Sequence, residues 1–435
     1  MRGRDIVVFA SCLVALAAPF AFAEVIEIVF WHHEAPAYRV AAFQKVIDAF
    51  HREYPTIRVR QEVVPWGEAW SRTAAAIRAG TTPDFQFDIP ELNVYAFELG
   101  GIIPVTQLVE RIHSNYGFIW SQVTPYEYEG EIWGVPIWTM PMVLIYRPSM
   151  FEAAGILAPP RTWEELLEVA EKLTNPPDVY GIMLTAGLNL LTQELAWCFM
   201  APSGTQLFDE RGHVTFNSPE TVRAVAFYRE LFRFSPPGSA AWIWGEAELN
   251  FGADRIAMMP YFGGLQKRFL EDLGSTDIAA APMPMPGEKG YARTLTYPNA
   301  VHVFRSAARD PKRLEAVFTF IEFMLRPDMN TIITAGQEPG SFVPVTEAML
   351  AFDSPYWDHP TIKAFLEMNR LLVREVRYGT LYGFEHGVVN FGIGEIIGEN
   401  VIAEVIQRVI IGGESPETAV AWGQRRMEEL SRPVR

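Results

Sequence analysis

The chain is short of cysteine, of positive charge and of long apolar runs, and each shortage excludes something. Only two cysteines, Cys12 and Cys198, occur in 435 residues. Cys12 falls in a stretch with the marks of a secretory leader. Arg2 and Arg4 open it, a short apolar core spans 6–18, and small residues at Ala21 and Ala23 precede Glu24. Cleavage after Ala23 leaves Cys198 alone, so no internal disulfide forms and stability must come from core burial. Cys198 itself sits in the apolar run "LAWCFM" and reads as a buried, inert thiol. A lipoprotein leader modified at Cys12 fits less well, because few apolar residues precede that cysteine and more follow it. The apolar core of the leader is too short to span a bilayer, and no later segment reaches spanning length without charges, so no direct membrane insertion is expected.

The shortage of Lys and Arg, 36 against 52 Asp and Glu, gives a formal charge of −16. The leader carries two arginines and one aspartate, so its removal takes that charge to −17. This opposes nucleic acid or an anionic membrane as partner. It does not decide a small ligand, for which local charge matters. Motifs are scarce too. None of the eight histidines forms H-x-x-x-H or H-E-x-x-H. His32, His33 and Glu34 are adjacent, but neighbours on a strand alternate sides and do not converge on one ion. No metal or cofactor is therefore read, and the nucleophile elbow G-x-S-x-G is absent. There is no repeat, low-complexity tract or long linker. A chain of 435 residues exceeds one compact core, so two lobes joined by crossing strands are expected, not two units on a tether.

What is present is regular alternation of strands and helices. Hydrophobic residues at 49% and charged residues at 20% describe a globular chain, with 13% aromatics including twelve Trp. Residues 24–31 read as a buried strand. Val40, Phe43, Val46, Ile47, Phe50 and Tyr54 then recur at helical spacing, and Ile57 and Val59 alternate with Arg58 and Arg60. That is a βαβ unit with parallel strands. A helix at 68–79, a strand at 83–89 and a helix from 91 to Gly100 and Gly101 follow. Further strands are read at 131–138, 143–147, 180–184, 255–263 and 299–304. Further helices are read at 160–173, capped by Thr162, at 218–232, capped by Ser218, at 311–325, and through 395–431 with a break near Gly412. The fold class is α/β.

In open α/β sheets ligands bind beyond the carboxyl ends of the strands. Those ends carry Trp31, His32, His33 and Glu34; Trp66 and Glu68; Asp88 and Glu91; Trp138; Tyr261, Phe262, Gly263 and Gly264; and Tyr297 and Asn299. Aromatic faces with carboxylates and amides suit a sugar or polyol, the rings covering C–H faces and the polar groups taking hydroxyls. For any one ring, core packing is the simpler explanation; the number at strand ends carries the reading.

The segments "VFWHHEAPAYRVAAFQKVIDAFHREYPTIRV", "AAAIRAGTTPDF", "YRPSMFEAAGI" with "PRTWEEL", "FGADRIAMMPYFGG", "EPGSFVPV" and "GGESPETAVAWGQRRMEEL" resemble the ABC-transporter extracellular solute-binding proteins of family 1, the carbohydrate-type group that includes maltose- and glycerol-phosphate-binding proteins. The resemblance spans essentially the whole mature chain. It implies a two-lobed periplasmic-binding-protein fold, each lobe a sheet flanked by helices, with about three crossings near 138–142, 295–297 and 340–344. The lobes would be 24–138 with 297–340, and 139–296 with 341–435. It implies ligand contacts from His33, Glu34, Trp66, Asp88, Glu91, Trp138, Tyr261, Gly263, Gly264, Tyr297, Gly340 and Ser341. Trp66 or Trp138 would cover one ligand face and Tyr261 would seal the other on closure. It also implies a periplasmic monomer that delivers a carbohydrate or polyol to a membrane permease, and no enzyme activity. His32-His33 is unusual at the first loop of this family, and 377–392 has no counterpart; its Tyr378, Tyr382 and His386 either reach the cleft or form an aromatic surface loop, the second being the reading preferred. The acidic candidates argue against a phosphate unless Arg293 or Arg377 reaches the cleft. The alternative reading is a secreted carbohydrate-active hydrolase pairing Asp88 with Glu34 or Glu91.

Overall fold

The computed structural model describes residues 25–287, 290–385 and 388–432. The leader with Cys12, and His386, lie outside them. Strand β1 (Ile26–His32) runs parallel to β2 (Ile57–Val63) and to β3 (Phe85–Asp88), with helix α1 (Ala37–Glu53) between the first two. α1 turns its Phe43, Val46, Ile47 and Phe50 inward, the helical spacing seen in the sequence. Helix α2 (Ala69–Ala79) ends on Gly80 in the left-handed conformation, and α3 (Pro90–Glu98) follows β3.

Two long strands hold the molecule together. β4 (Val135–Tyr146) merges the strands expected at 131–138 and 143–147 into one. Its partners change along its length. Up to Pro141 it pairs antiparallel with the strand Thr294–Phe304. From Met142 it pairs with β5 (Met258–Phe262) and, further along, β6 (Ala279–Ala281). Pro141 has no amide to donate, so a ladder can change sides there without stranding a donor. The strand Thr294–Phe304, β7, begins five residues earlier than its sequence pattern indicates and continues to β3, where Ala300 faces Asp88. A short third strand, β8 (Val343–Pro344), pairs with Thr139 and Trp138 of β4.

The buried side chains form two main cores. One gathers Ile28, Phe30, Phe85, Val135, Ile137, Val301 and Phe320 around β1, β3 and the first half of β4. The other gathers Val143, Ile145, Leu195, Trp197, Phe227, Met258 and Val405 around the second half of β4. The molecule is therefore two-lobed, each lobe a sheet flanked by helices. In the second lobe, helix α4 (Trp163–Leu173) is capped by Thr162, which accepts from the Glu165 amide at 3.2 Å, and α5 (Leu190–Ser203) carries Cys198, fully buried. The strand expected at 180–184 is not formed; only Tyr180 bridges to Ile256. The amides of Leu184 and Thr185 are instead taken by the Ser235 and Tyr228 hydroxyls, which removes the donors a ladder would use.

Candidate functional site

A cleft of about 850 Å³ opens between the two cores. Its first wall follows from parallel pairing. Because β1, β2 and β3 run the same way, their carboxyl ends share one edge. From that edge Glu34, Trp66 and Ile89 line the cleft, joined by Tyr38 and Arg39 of α1 and by Trp70 of α2. The opposite wall comes from the end of β5, with Tyr261, Phe262 and Gly264, and from helix α6 (Trp244–Gly252), with Trp244 and Glu248. Glu194 of α5 lies on the same side. At the back, where the strands pass between lobes, stand Met140, Tyr297, Asn299, Ser341 and Phe342.

On the first wall an ion-pair chain is fixed in place. Arg39 binds Glu34 on one side and Glu338 on the other, the latter at 2.6 Å, and Tyr38 donates to Glu338. Burial raises the Glu34 carboxyl above its usual range despite the Arg39 guanidinium. On the second wall Tyr261 donates to Glu248 at 2.6 Å, and Trp244 packs on Phe262 with centroids 5.6 Å apart. Lys267 of the second lobe sits 4.7 Å above the Tyr38 ring, so the walls already touch at one point.

Of the twelve ligand contacts implied by the resemblance, Glu34, Trp66, Tyr261, Gly264, Tyr297 and Ser341 share this one hollow, as do the strand-end residues Phe262 and Asn299. The remaining six do not line it. His33 lies one layer back, its ring 4.2 Å from that of Trp66. Its Nδ1–H donates to the Val64 carbonyl at 2.6 Å, and Nε2 accepts from the Gln86 amide at 3.3 Å. Burial drives its pKa down to about 4, so the ring is neutral and serves as a backing for Trp66. Asp88 is wholly enclosed, accepting from His302 Nδ1 at 2.6 Å and Asn93 at 2.7 Å. Glu91 accepts from the Tyr297 hydroxyl at 2.6 Å and fixes the back of that ring. Trp138, expected over a ligand, is 0% exposed, with Phe87 against one face at 4.3 Å and Phe342 against the other at 4.5 Å. Gly263 and Gly340 let two backbones meet: a Cβ on Gly263 would lie 2.1 Å from the Gly340 carbonyl oxygen, and Gly340 has φ +81. These two glycines bring β5 and the loop before β8 together and leave Gly264 and Ser341 on the cavity side.

Among its described residues, the 377–392 loop is exposed only at its start. Tyr378 is exposed, but Tyr382 is buried edge-on to Trp197 at 5.7 Å. Arg293 and Arg377 do not reach the cleft; they line a separate hollow of about 340 Å³ with Gln206 and Glu385. Among the described residues no three His, Cys, Asp or Glu side chains gather as a metal ion requires, and no helix is long and apolar enough to cross a membrane.

Several cleft residues escaped the sequence reading. Trp70 follows Trp66 by four residues, one helical turn, and Arg39 follows Glu34 across the Pro36 corner; both spacings were visible. Trp244, Glu194 and Glu338 had no such mark, since each lies in a helix or turn away from any strand end.

The family model of the bacterial extracellular solute-binding proteins matches residues 36–331. A protein of Escherichia coli (strain K12), named as an ABC transporter periplasmic-binding protein, is 26% identical over 417 residues, 93% of this chain and 93% of its own length. Among solved structures, maltose-bound MalE3 of T. maritima superposes with a TM-score of 0.74 at 19% identity, over 93% of this chain and 100% of that one. A solute-binding protein of Agrobacterium radiobacter K84 in complex with ribitol gives 0.72 at 20%, over 94% and 99%.

Proposed function

Since the chain belongs to the bacterial extracellular solute-binding proteins, we propose that it is the substrate-binding component of an ABC importer. It takes up a sugar or polyol by closing its two lobes and presents the closed form to a membrane permease, working as a periplasmic monomer. The observation that carries this reading is the cleft between the cores, with Trp66 and Trp70 on one wall and Trp244 and Tyr261 on the other. Flat rings on opposing walls stack on both faces of a sugar or a polyol chain, and the carboxyls between them accept its hydroxyls. The maltose- and ribitol-bound structures of like fold support the same class. Ligand contacts are assigned to Glu34, Trp66, Tyr261, Gly264, Tyr297 and Ser341, with Trp70 and Trp244 added.

Closure shifts the lobes only as far as the ligand prefers the closed state. Enclosure by both walls at once supplies that preference. The hydrolase alternative has no such support: Asp88 is tied to His302 and Asn93, and Glu91 to Tyr297, so that carboxylate pair does not face the cleft.

A thermal-shift screen of monosaccharides, oligosaccharides and polyols tests the reading. At least one should raise the melting temperature, the rise growing with the logarithm of its concentration. The same ligand should change tryptophan fluorescence, and Trp66→Ala should weaken it by roughly tenfold, about 1.4 kcal/mol. A complete screen without any shift would sink the proposal.

A further inference from the structure

Three groups in the molecule could act beyond what has been described: the hollow around Arg293 and Arg377, the enclosed Asp88–His302 pair, and Glu194. Glu194 carries an inference furthest. It lies on α5 in the wall of the cleft and is 3% exposed, yet its Oε2 finds no hydrogen-bond partner among the described residues. A buried polar atom left unpaired costs free energy, and a chain that keeps one in the wall of a cavity keeps it for something that enters. Glu91 also has an unpartnered oxygen, but its other oxygen is occupied by Tyr297 and it does not line the cleft.

The charges nearby narrow what can enter. Six carboxyls and three bases line the cleft. Arg39 is held between Glu34 and Glu338, Lys267 lies over the Tyr38 ring, and Arg268 faces Glu248 at 3.9 Å. Both arginines that line the cleft thus already face carboxyls, the carboxyls outnumber the bases, and an anionic ligand would meet surplus negative charge.

Resting on the reading of this cleft as a sugar or polyol site, we infer that Glu194 is its specificity-determining residue. Its carboxyl hydrogen-bonds a hydroxyl of an uncharged, polyhydroxylated ligand, and the site turns away phosphorylated and acidic counterparts. A site built around a polar group discriminates strongly against a ligand that leaves that group unpaired. Burial, followed by the nearby Glu91, raises the Glu194 carboxyl well above its usual range, which favours the form that both donates and accepts.

The test is calorimetric titration of the wild type, Glu194→Leu and Glu194→Gln with a neutral sugar or polyol found in the screen, its epimers, and its phosphorylated and carboxylate forms. For the wild type, the neutral ligand should bind at least about tenfold tighter than either charged form. Glu194→Leu should lose at least about tenfold for the neutral ligand, while the ligand-free variant melts no lower than wild type because an unpaired buried group has gone. Should Glu194→Leu fail to fold, Glu194→Gln decides: exchanging the hydroxyl for an amide should change the affinity ranking among epimers by at least about threefold. The inference is overturned by a phosphorylated ligand bound as tightly as the neutral one. It is overturned equally by wild-type affinity in Glu194→Leu, or by an unchanged ranking in Glu194→Gln. Those results leave the wider reading standing, whereas a wild type that binds no sugar or polyol removes both.

Discussion

Glu91 shows what enclosure does to a single carboxyl. Burial raises its pKa to about 7, against the lowering effect of the Tyr297 hydroxyl. A folded-state pKa above the unfolded value of about 4.5 means stability that is fully present below pH 4.5 and is lost as pH rises through 7. Glu91→Gln, which keeps the acceptor for Tyr297, should therefore gain on wild type between pH 5 and pH 8 by up to about 3 kcal/mol, read from urea unfolding at the two pH values. His32 and His33 have the opposite sign. Burial lowers both to about 4, so the stability they contribute is present above 6.5 and falls away as pH drops toward 4. His33→Asn should flatten the acid limb of a melting-temperature profile between pH 6.5 and pH 4. At this scale the sequence was readable in part. Glu34, Trp66 and Tyr261 were found because a strand end is encoded locally, by where an apolar alternation stops. That His33, Asp88, Glu91 and Trp138 stand one layer behind was not encoded locally. For Asp88, Glu91 and Trp138 it depends on His302, Tyr297 and Phe342, more than two hundred residues away in each case, and for His33 on Val64, just past β2, and Gln86 of β3.

Among the elements, β4 is the most instructive. The sequence shows two apolar runs separated by Thr139, Met140 and Pro141, and a proline inside a run ordinarily ends a strand. Here the strand continues and only its partners change, so what looks like a terminator is the point of passage between lobes. The helices were easier. Cap residues such as Thr162 and Ser218 and a 3.6-residue apolar repeat act within the helix itself, so no distant contact could overrule them. The contact of Gly263 with Gly340 was invisible as such, although both glycines were noticed. Gly263→Ala should destabilise by roughly 1–3 kcal/mol, because the added methyl meets a backbone carbonyl that cannot rotate away. Denaturant unfolding measures this, and a midpoint equal to wild type would show that the two segments can part freely.

For the molecule as a whole, two cores with a shared back wall predict motion of one against the other. Small-angle scattering should show the radius of gyration falling when a saturating ligand is added, with no change if both walls are held apart by rigid crossings. Cys198 offers a second measure. It is fully buried in the second lobe, and burial raises its thiol well above the ordinary range. A thiol reagent should therefore label it only as that lobe unfolds. The two-lobed design was legible from length and the lack of a linker, since one core could not serve so long a chain. The three-stranded passage has a further meaning for synthesis. The first core contains Ile28 near one end of the chain and also Phe320, Phe342 and Val345. A nascent chain cannot complete that core until Val345 has emerged from the ribosome, so the strand made first must wait for segments made much later.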